Sequence, residues 1–121
     1  MTIVVLDDEP SIVLMCRRVL EARGHTVHGF TRPADALACI EREHPDLLVV
    51  DYKMPDLDGF AVVDRVRAVR PSQRVLMITA HGTGEVMGRA TEAGLQGLVV
   101  KPFTPAELAR GVEEATATAD C

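Results

Sequence analysis

Asp7, Asp8, Asp51, Thr79 and Lys101 each follow directly on a short apolar run: the first two acids after residues 3–6, Asp51 after 47–50, Thr79 after 75–78 and Lys101 after 98–100. If those runs are parallel strands of one sheet, all five side chains crowd its carboxyl rim, where open α/β sheets bind ligands. Three carboxylates repel one another, and a single ammonium cannot neutralise them. The site calls for a cation. Its donors are oxygens, with no convergent His or Cys, so the hard ion Mg²⁺ suits it, with Mn²⁺ able to stand in. Metal, ammonium and the Thr79 hydroxyl together form a receptor for a tetrahedral anion, because phosphoryl transfer depends on positioning and charge neutralisation. Asp51 becomes the nucleophile. It needs no general base, since a carboxylate is ordinarily ionised at neutral pH.

The elements that must position these residues follow from the apolar pattern. Residues 3–6, 26–30, 47–50, 75–78 and 98–100 read as strands, and the first, third and fourth are continuous apolar runs, as expected of parallel strands covered on both faces. Between them lie helical stripes. Ile12, Met15, Cys16, Val19 and Leu20 mark a helix over 10–23 that Gly24 ends. Ala34, Leu37 and Ile40 or Glu41 mark one over 33–43; Val62, Val66 and Val69 mark one over 59–70, stopped by Pro71. Val86, Ala90 and Ala93 give a fourth ending at Gly94, and Leu108, Val112 and Ala115 a fifth that starts with Thr104 as N-cap, Pro105, and Glu107. Five strand–helix units with right-handed crossovers predict an α/β fold, a (βα)₅ doubly wound parallel five-stranded sheet in the flavodoxin-like order 2-1-3-4-5. Gly82, Gly84 and Gly88 weaken the fourth helix, which is therefore the expected mobile element.

A strand-end Asp is commonly only a cap or turn residue, and a lone Thr or Lys-Pro carries no meaning. The conjunction of five such positions favours a site. Bulk composition narrows its setting. The 121 residues fit one domain over 1–121, with 115–121 read as a frayed tail or the start of a linker. A net charge of −5 argues against a grip on nucleic-acid phosphates. The local run Arg65, Arg67, Arg70 and Arg74 reads as a solvated outer face. No run is long enough to span a membrane and the N-terminus lacks a signal-peptide pattern, so a cytoplasmic protein with no direct nucleic-acid or membrane partner is expected. Cys16, Cys39 and Cys121 lack metal-site spacing, and Cys16 and Cys39 read as helix-packing residues.

In order along the chain, Leu6-Asp7-Asp8-Glu9-Pro10, Val50-Asp51-Tyr52-Lys53-Met54-Pro55-Asp56-Leu57-Asp58-Gly59, Ile78-Thr79-Ala80, Ala93-Gly94 and Lys101-Pro102-Phe103 resemble the response-regulator receiver domains of two-component signalling, of the chemotaxis-regulator type. The resemblance implies a phosphoprotein that takes a phosphoryl group on Asp51 from a sensor histidine kinase or phosphotransfer protein. It implies that Asp8, Asp51 and the backbone carbonyl of Lys53 bind Mg²⁺, that Asp7 assists through water, and that Thr79 and Lys101 contact the phosphoryl oxygens. A cis Lys101-Pro102 peptide, catalysis confined to the domain's own phosphorylation and autodephosphorylation, and an effector or homodimer partner on the face of the fourth helix, fifth strand and fifth helix belong to the same expectation. The pattern departs at Leu98, where such receivers usually carry Tyr or Phe as a switch. Lys53 and His81 are expected to flank the phosphate entrance and tune hydrolysis.

Two other functions compete. Asp56-Leu57-Asp58-Gly59 superficially matches the motif of aspartate-nucleophile phosphatases, but Met54-Pro55 precedes it rather than a strand. A flavin-binding module shares the fold order, yet the chain has one Tyr, no Trp and no phosphate loop rich in Gly, Ser or Thr after the first strand.

Overall fold

The apolar runs and amphipathic stripes fold as alternating strands and helices in the computed structural model, which describes residues 1–117. In chain order these are β1 (Thr2–Leu6), α1 (Pro10–Glu21), β2 (Thr26–Phe30), α2 (Pro33–Glu43), β3 (Leu47–Asp51), α3 (Gly59–Val69), β4 (Val75–Thr79), α4 (Gly84–Glu92), β5 (Gly97–Val100) and α5 (Pro105–Ala117). Every strand pair is parallel, in the order β2-β1-β3-β4-β5. The chain lays β2 on one side of β1 and β3 on the other, so the crevice at the sheet's carboxyl edge opens between β1 and β3.

The strand pleat divides the interior in two. Ile3, Val5, Leu47, Val49, Leu76 and Ile78 enter one core with Cys16 and Leu20 of α1 and Leu108 and Val112 of α5. Val4, Leu6, Leu48, Val50, Val75 and Met77 enter the other with residues of α2, α3 and α4. The three central strands serve both cores, which is why their sequences do not alternate. Each fully buried aliphatic side chain contributes about 1.5–3 kcal/mol relative to exposure. The free thiols of Cys16 and Cys39 are buried, one in each core.

Helix ends follow local chemistry. Asp58 and Thr83 cap α3 and α4 by accepting from Ala61 N and Val86 N. The expected start of α5 is a reciprocal capping box, in which Thr104 N donates to Glu107 Oε1 at 2.8 Å and Glu107 N donates to Thr104 Oγ at 3.1 Å. Gly94 ends α4 with φ of +66°, a conformation that disfavours a side chain. The tail expected over 115–121 falls partly outside the described residues; within them α5 continues through Ala117, and Ala115 is fully buried. Cys121 also lies outside them.

Two helix faces differ from the sequence expectation. In α2, Ala34 is exposed and the buried stripe is Ala36, Cys39 and Ile40. In α3, Val69 is 53% exposed and Val63 joins Val62 and Val66 inside. Both helices lie on the sheet side by side, so each buries a face set jointly by strand and neighbour, which a single stripe does not capture. The arginine run also departs from a solvated face. Arg67 Nη1 donates to Ala93 O, and its Nη2 donates to Gly94 O at 3.0 Å and Gln73 O at 3.3 Å, so α3 ties down the end of α4. Arg74 Nη1 donates to Ala115 O at 2.9 Å, reaching the end of α5. Backbone carbonyls late in two helices attract these cations, which periodicity within one helix cannot reveal.

Candidate functional site

Strand parity brings the charged residues together. Ile3 and Val5 of β1, Leu47 and Val49 of β3, and Val99 of β5 face the α1/α5 side. The same alternation carried to the strand ends turns Asp7, Asp51 and Lys101 to that side. Lys101 Nζ accordingly lies 2.9 Å from Asp7 Oδ2 and 3.3 Å from Asp51 Oδ1, with Glu9 Oε1 at 4.0 Å. Asp7 is fully buried and also accepts from Glu9 N at 2.9 Å. Ligand oxygens of Asp7, Asp8 and Asp51 all lie within 4.8 Å of one another, with Asp8 the more open of the three.

The loops are held to the sheet by backbone. Tyr52 N donates to Ile78 O at 2.9 Å, Gly59 N to Tyr52 O at 2.7 Å and Lys101 N to Thr79 O at 2.7 Å. A Cβ on Gly59 would stand 2.5 Å from Asp51 O, so only glycine lets α3 start this close to the acid-bearing strand. Thr79 is buried, and its Oγ accepts from His81 N at 2.9 Å, leaving its own proton free to be donated elsewhere. The Lys101-Pro102 peptide is cis. Lys53 and His81 are exposed beside the rim, and Leu98 is half-buried on β5 in the core shared with α4.

Charge in this pocket is unbalanced. Burial, followed by the neighbouring charge of Asp7, pushes the Asp51 carboxyl up to about 7 despite the opposing effect of Lys101. Burial likewise raises Asp7, against its hydrogen bond with Lys101. Burial works against the Lys101 ammonium, but its hydrogen bond and charge pairing with Asp7, together with Asp51, outweigh that and hold it above the usual lysine value. The protein's own groups thus hold the Asp51 carboxyl above the usual carboxylate range, which a cation at the rim would oppose. One ammonium against three crowded carboxylates fits a hard divalent cation, and receiver domains hold Mg²⁺ at such an acidic pocket.

Asp58, part of the phosphatase-like motif, is spent as the α3 N-cap. Reading the sequence missed Glu9, whose amide orients Asp7, and Arg89 of α4, whose guanidinium carbon stands 4.2 Å from the Phe60 ring centroid and 6.0 Å from that of Tyr52. Glu9 was signalled by adjacency to the acid pair. Arg89 had no signal in its own helix.

Comparison with known proteins agrees with this geometry. The family model described as response regulator receiver domain matches residues 3–113. A 14.6 kDa protein of Leptolyngbya boryana is 35% identical over 94% of this chain and 88% of its own length. The cyclic di-GMP phosphodiesterase response regulator RpfG of Xanthomonas campestris is 39% identical over 89% of this chain but only 30% of its own. A probable transcriptional regulator, ycf27 of Porphyridium aerugineum, is 40% identical and is matched over 44% of its length, so the chain spans less than half of several relatives. The structure of chemotaxis protein CheY4 of Vibrio cholerae superposes with a TM-score of 0.88 at 28% identity, over 94% of this chain and 97% of that one. No helix among the described residues is long and apolar enough to cross a membrane. Sheet order, acid-lined rim and these matches lead to one conclusion: the chain belongs to the response regulator receiver domains of two-component systems.

Proposed function

We propose that Asp51 is the phosphoacceptor of this signalling module. The observation that carries this reading is the Lys101 ammonium held between Asp7 and Asp51 at the sheet rim. An oxygen of Asp51 forms a bond to phosphorus while the phosphorus–nitrogen bond of a phosphohistidine breaks, its electron pair returning to the imidazole of a sensor histidine kinase or phosphotransfer protein. Lys101 pairs with the phosphoryl oxygens, and the Thr79 hydroxyl donates to them. Asp8, Asp51 and the backbone carbonyl of Lys53 would hold Mg²⁺, or Mn²⁺ in its place, with Asp7 assisting through water. When bound, the ion supplies positive charge to phosphoryl oxygens as transfer proceeds. Lys53 and His81, exposed at the entrance, govern water access and hence the life of the acyl phosphate.

The domain catalyses only its own phosphorylation and dephosphorylation, and works in the cytoplasm without direct nucleic-acid or membrane contact. The face of α4, β5 and α5 meets an effector or a second copy of the domain, with Leu98 in the place of an aromatic switch. Acetyl phosphate with Mg²⁺ should add one phosphoryl group, read by intact mass. Asp51→Asn should take none, whereas Thr79→Ala should retain slower labelling. Persistent labelling of the Asp51→Asn protein would move the acceptor elsewhere.

A further inference from the structure

Helix α4 is fastened by two arginines of different kinds. At its C-terminal end, Arg67 of α3 donates to Ala93 O and Gly94 O, an arrangement of directional hydrogen bonds to a helix end. Near its middle, Arg89 of α4 reaches the other way and stacks on Phe60 at 4.2 Å and toward Tyr52 at 6.0 Å. Within α4 only Val86 and Ala90 are buried, and a Cβ on Gly84 or Gly88 would meet nothing within 4 Å. Besides the Arg89 stack, the N-terminal half is held among the described residues only by the Thr83 cap and the buried Val86 side chain.

The Tyr52 ring joins that stack to both halves of the candidate site. Tyr52 follows Asp51 directly, and its backbone is pinned to β4 and to the start of α3. Its ring packs edge-on to Phe60 at 5.6 Å and to His81 at 6.1 Å. The His81 amide is in turn donated to Thr79 Oγ. A phosphoryl group brings three strong acceptor oxygens and nearly two negative charges. The Thr79 hydroxyl can donate to such oxygens, and a shift toward them would lengthen the bond it accepts from His81 N, while a new negative charge on Asp51 would compete with the ring faces for the Arg89 cation. On β5, Leu98 offers only apolar contact in the groove it shares with Met87, Ala90, Thr91 and Leu95.

We propose that Arg89 is a latch, and that phosphorylation releases it through Thr79, His81 and Tyr52, letting the N-terminal half of α4 move about an end fixed by Arg67. This rests on Asp51 being the phosphoacceptor and assigns the readout to α4 rather than to position 98. The chain has one Tyr and no Trp, so intrinsic fluorescence reports the latch directly.

The test uses the full chain with Mg²⁺, with and without acetyl phosphate. Label is counted by intact mass, Tyr52 fluorescence is recorded, and amide exchange is followed over 84–96. In the unmodified chain, labelling should change the fluorescence and speed exchange over 84–90 by at least about threefold, leaving 91–96 unchanged. Arg89→Ala, an exposed position, should label at the same rate, exchange fast over 84–90 before any label is added, and show no further increase. Arg89→Lys should fall between. Full retention of the phosphorylation-linked change in Arg89→Ala would overturn the latch, as would a change that moves 91–96 equally. Absence of label on the unmodified chain would instead sink the phosphoacceptor reading and the coupling with it, while the resting latch would still be read from unlabelled Arg89→Ala.

Discussion

Asp51 illustrates how one residue can be strained by its own surroundings. Its carboxyl is raised from 3.8 to about 7, first by burial and then by Asp7. A folded-state value above the unfolded one means that the folded protein holds the proton more tightly. That contribution is complete below about pH 4 and is lost as pH rises through about 7, with a ceiling near 4 kcal/mol. Without divalent ions, the urea midpoint should therefore fall between pH 4 and 8, and Asp51→Asn should flatten the fall and gain about 1–3 kcal/mol at pH 8. Mg²⁺ should stabilise the unmodified chain more at pH 8 than at pH 5, because ligand binding favours the state that holds the ion. A midpoint that rises across the same range would contradict this charge balance. Asp7, raised for the same leading reason, acts with the same sign.

Among the elements, α3 carries two tight requirements. Gly59→Ala would place a methyl 2.5 Å from Asp51 O and 2.9 Å from Met77 Cε. The backbone atom cannot give way, so the change should cost about 1–3 kcal/mol in urea unfolding and slow labelling of Asp51. Arg67→Met should also cost about 1–3 kcal/mol, since it leaves the carbonyls of Ala93 and Gly94 without their donors. Unchanged stability in either variant would refute the corresponding contact. The contrast shows what sequence conveys. Asp7, Asp51, Thr79 and Lys101 were legible because each closes a run such as Leu47–Asp51 whose apolar continuity already signals a buried parallel strand. The stripes of α1 and α5 were legible because Leu20, Leu108 and Val112 are large. Ala34 and Val69 misled because alanine carries little burial signal and a helix beside another helix has no single inner line. Arg67 and Arg89 were opaque because their partners, Ala93 and Phe60, lie on other elements.

For the whole molecule, the sharing of β1, β3 and β4 between two cores makes the domain a single cooperative body. Native-state amide exchange should be slowest over 3–6, 47–50 and 75–78, reporting global unfolding, and faster in β5, where Leu98 and Val99 are half-buried and Val100 is 47% exposed. Independent opening of one helical layer, seen as two separate unfolding transitions, would be incompatible with that sharing. The in-phase placement of Asp7, Asp51 and Lys101 has one more consequence. Inserting or deleting a single residue within β1, β3 or β5 would send its terminal acid or amine to the opposite side of the sheet, as surely as mutating it. Variation in length is thus admissible in the loops alone, and a spacing count along the chain becomes a test of whether a distant sequence can still assemble this charge triad.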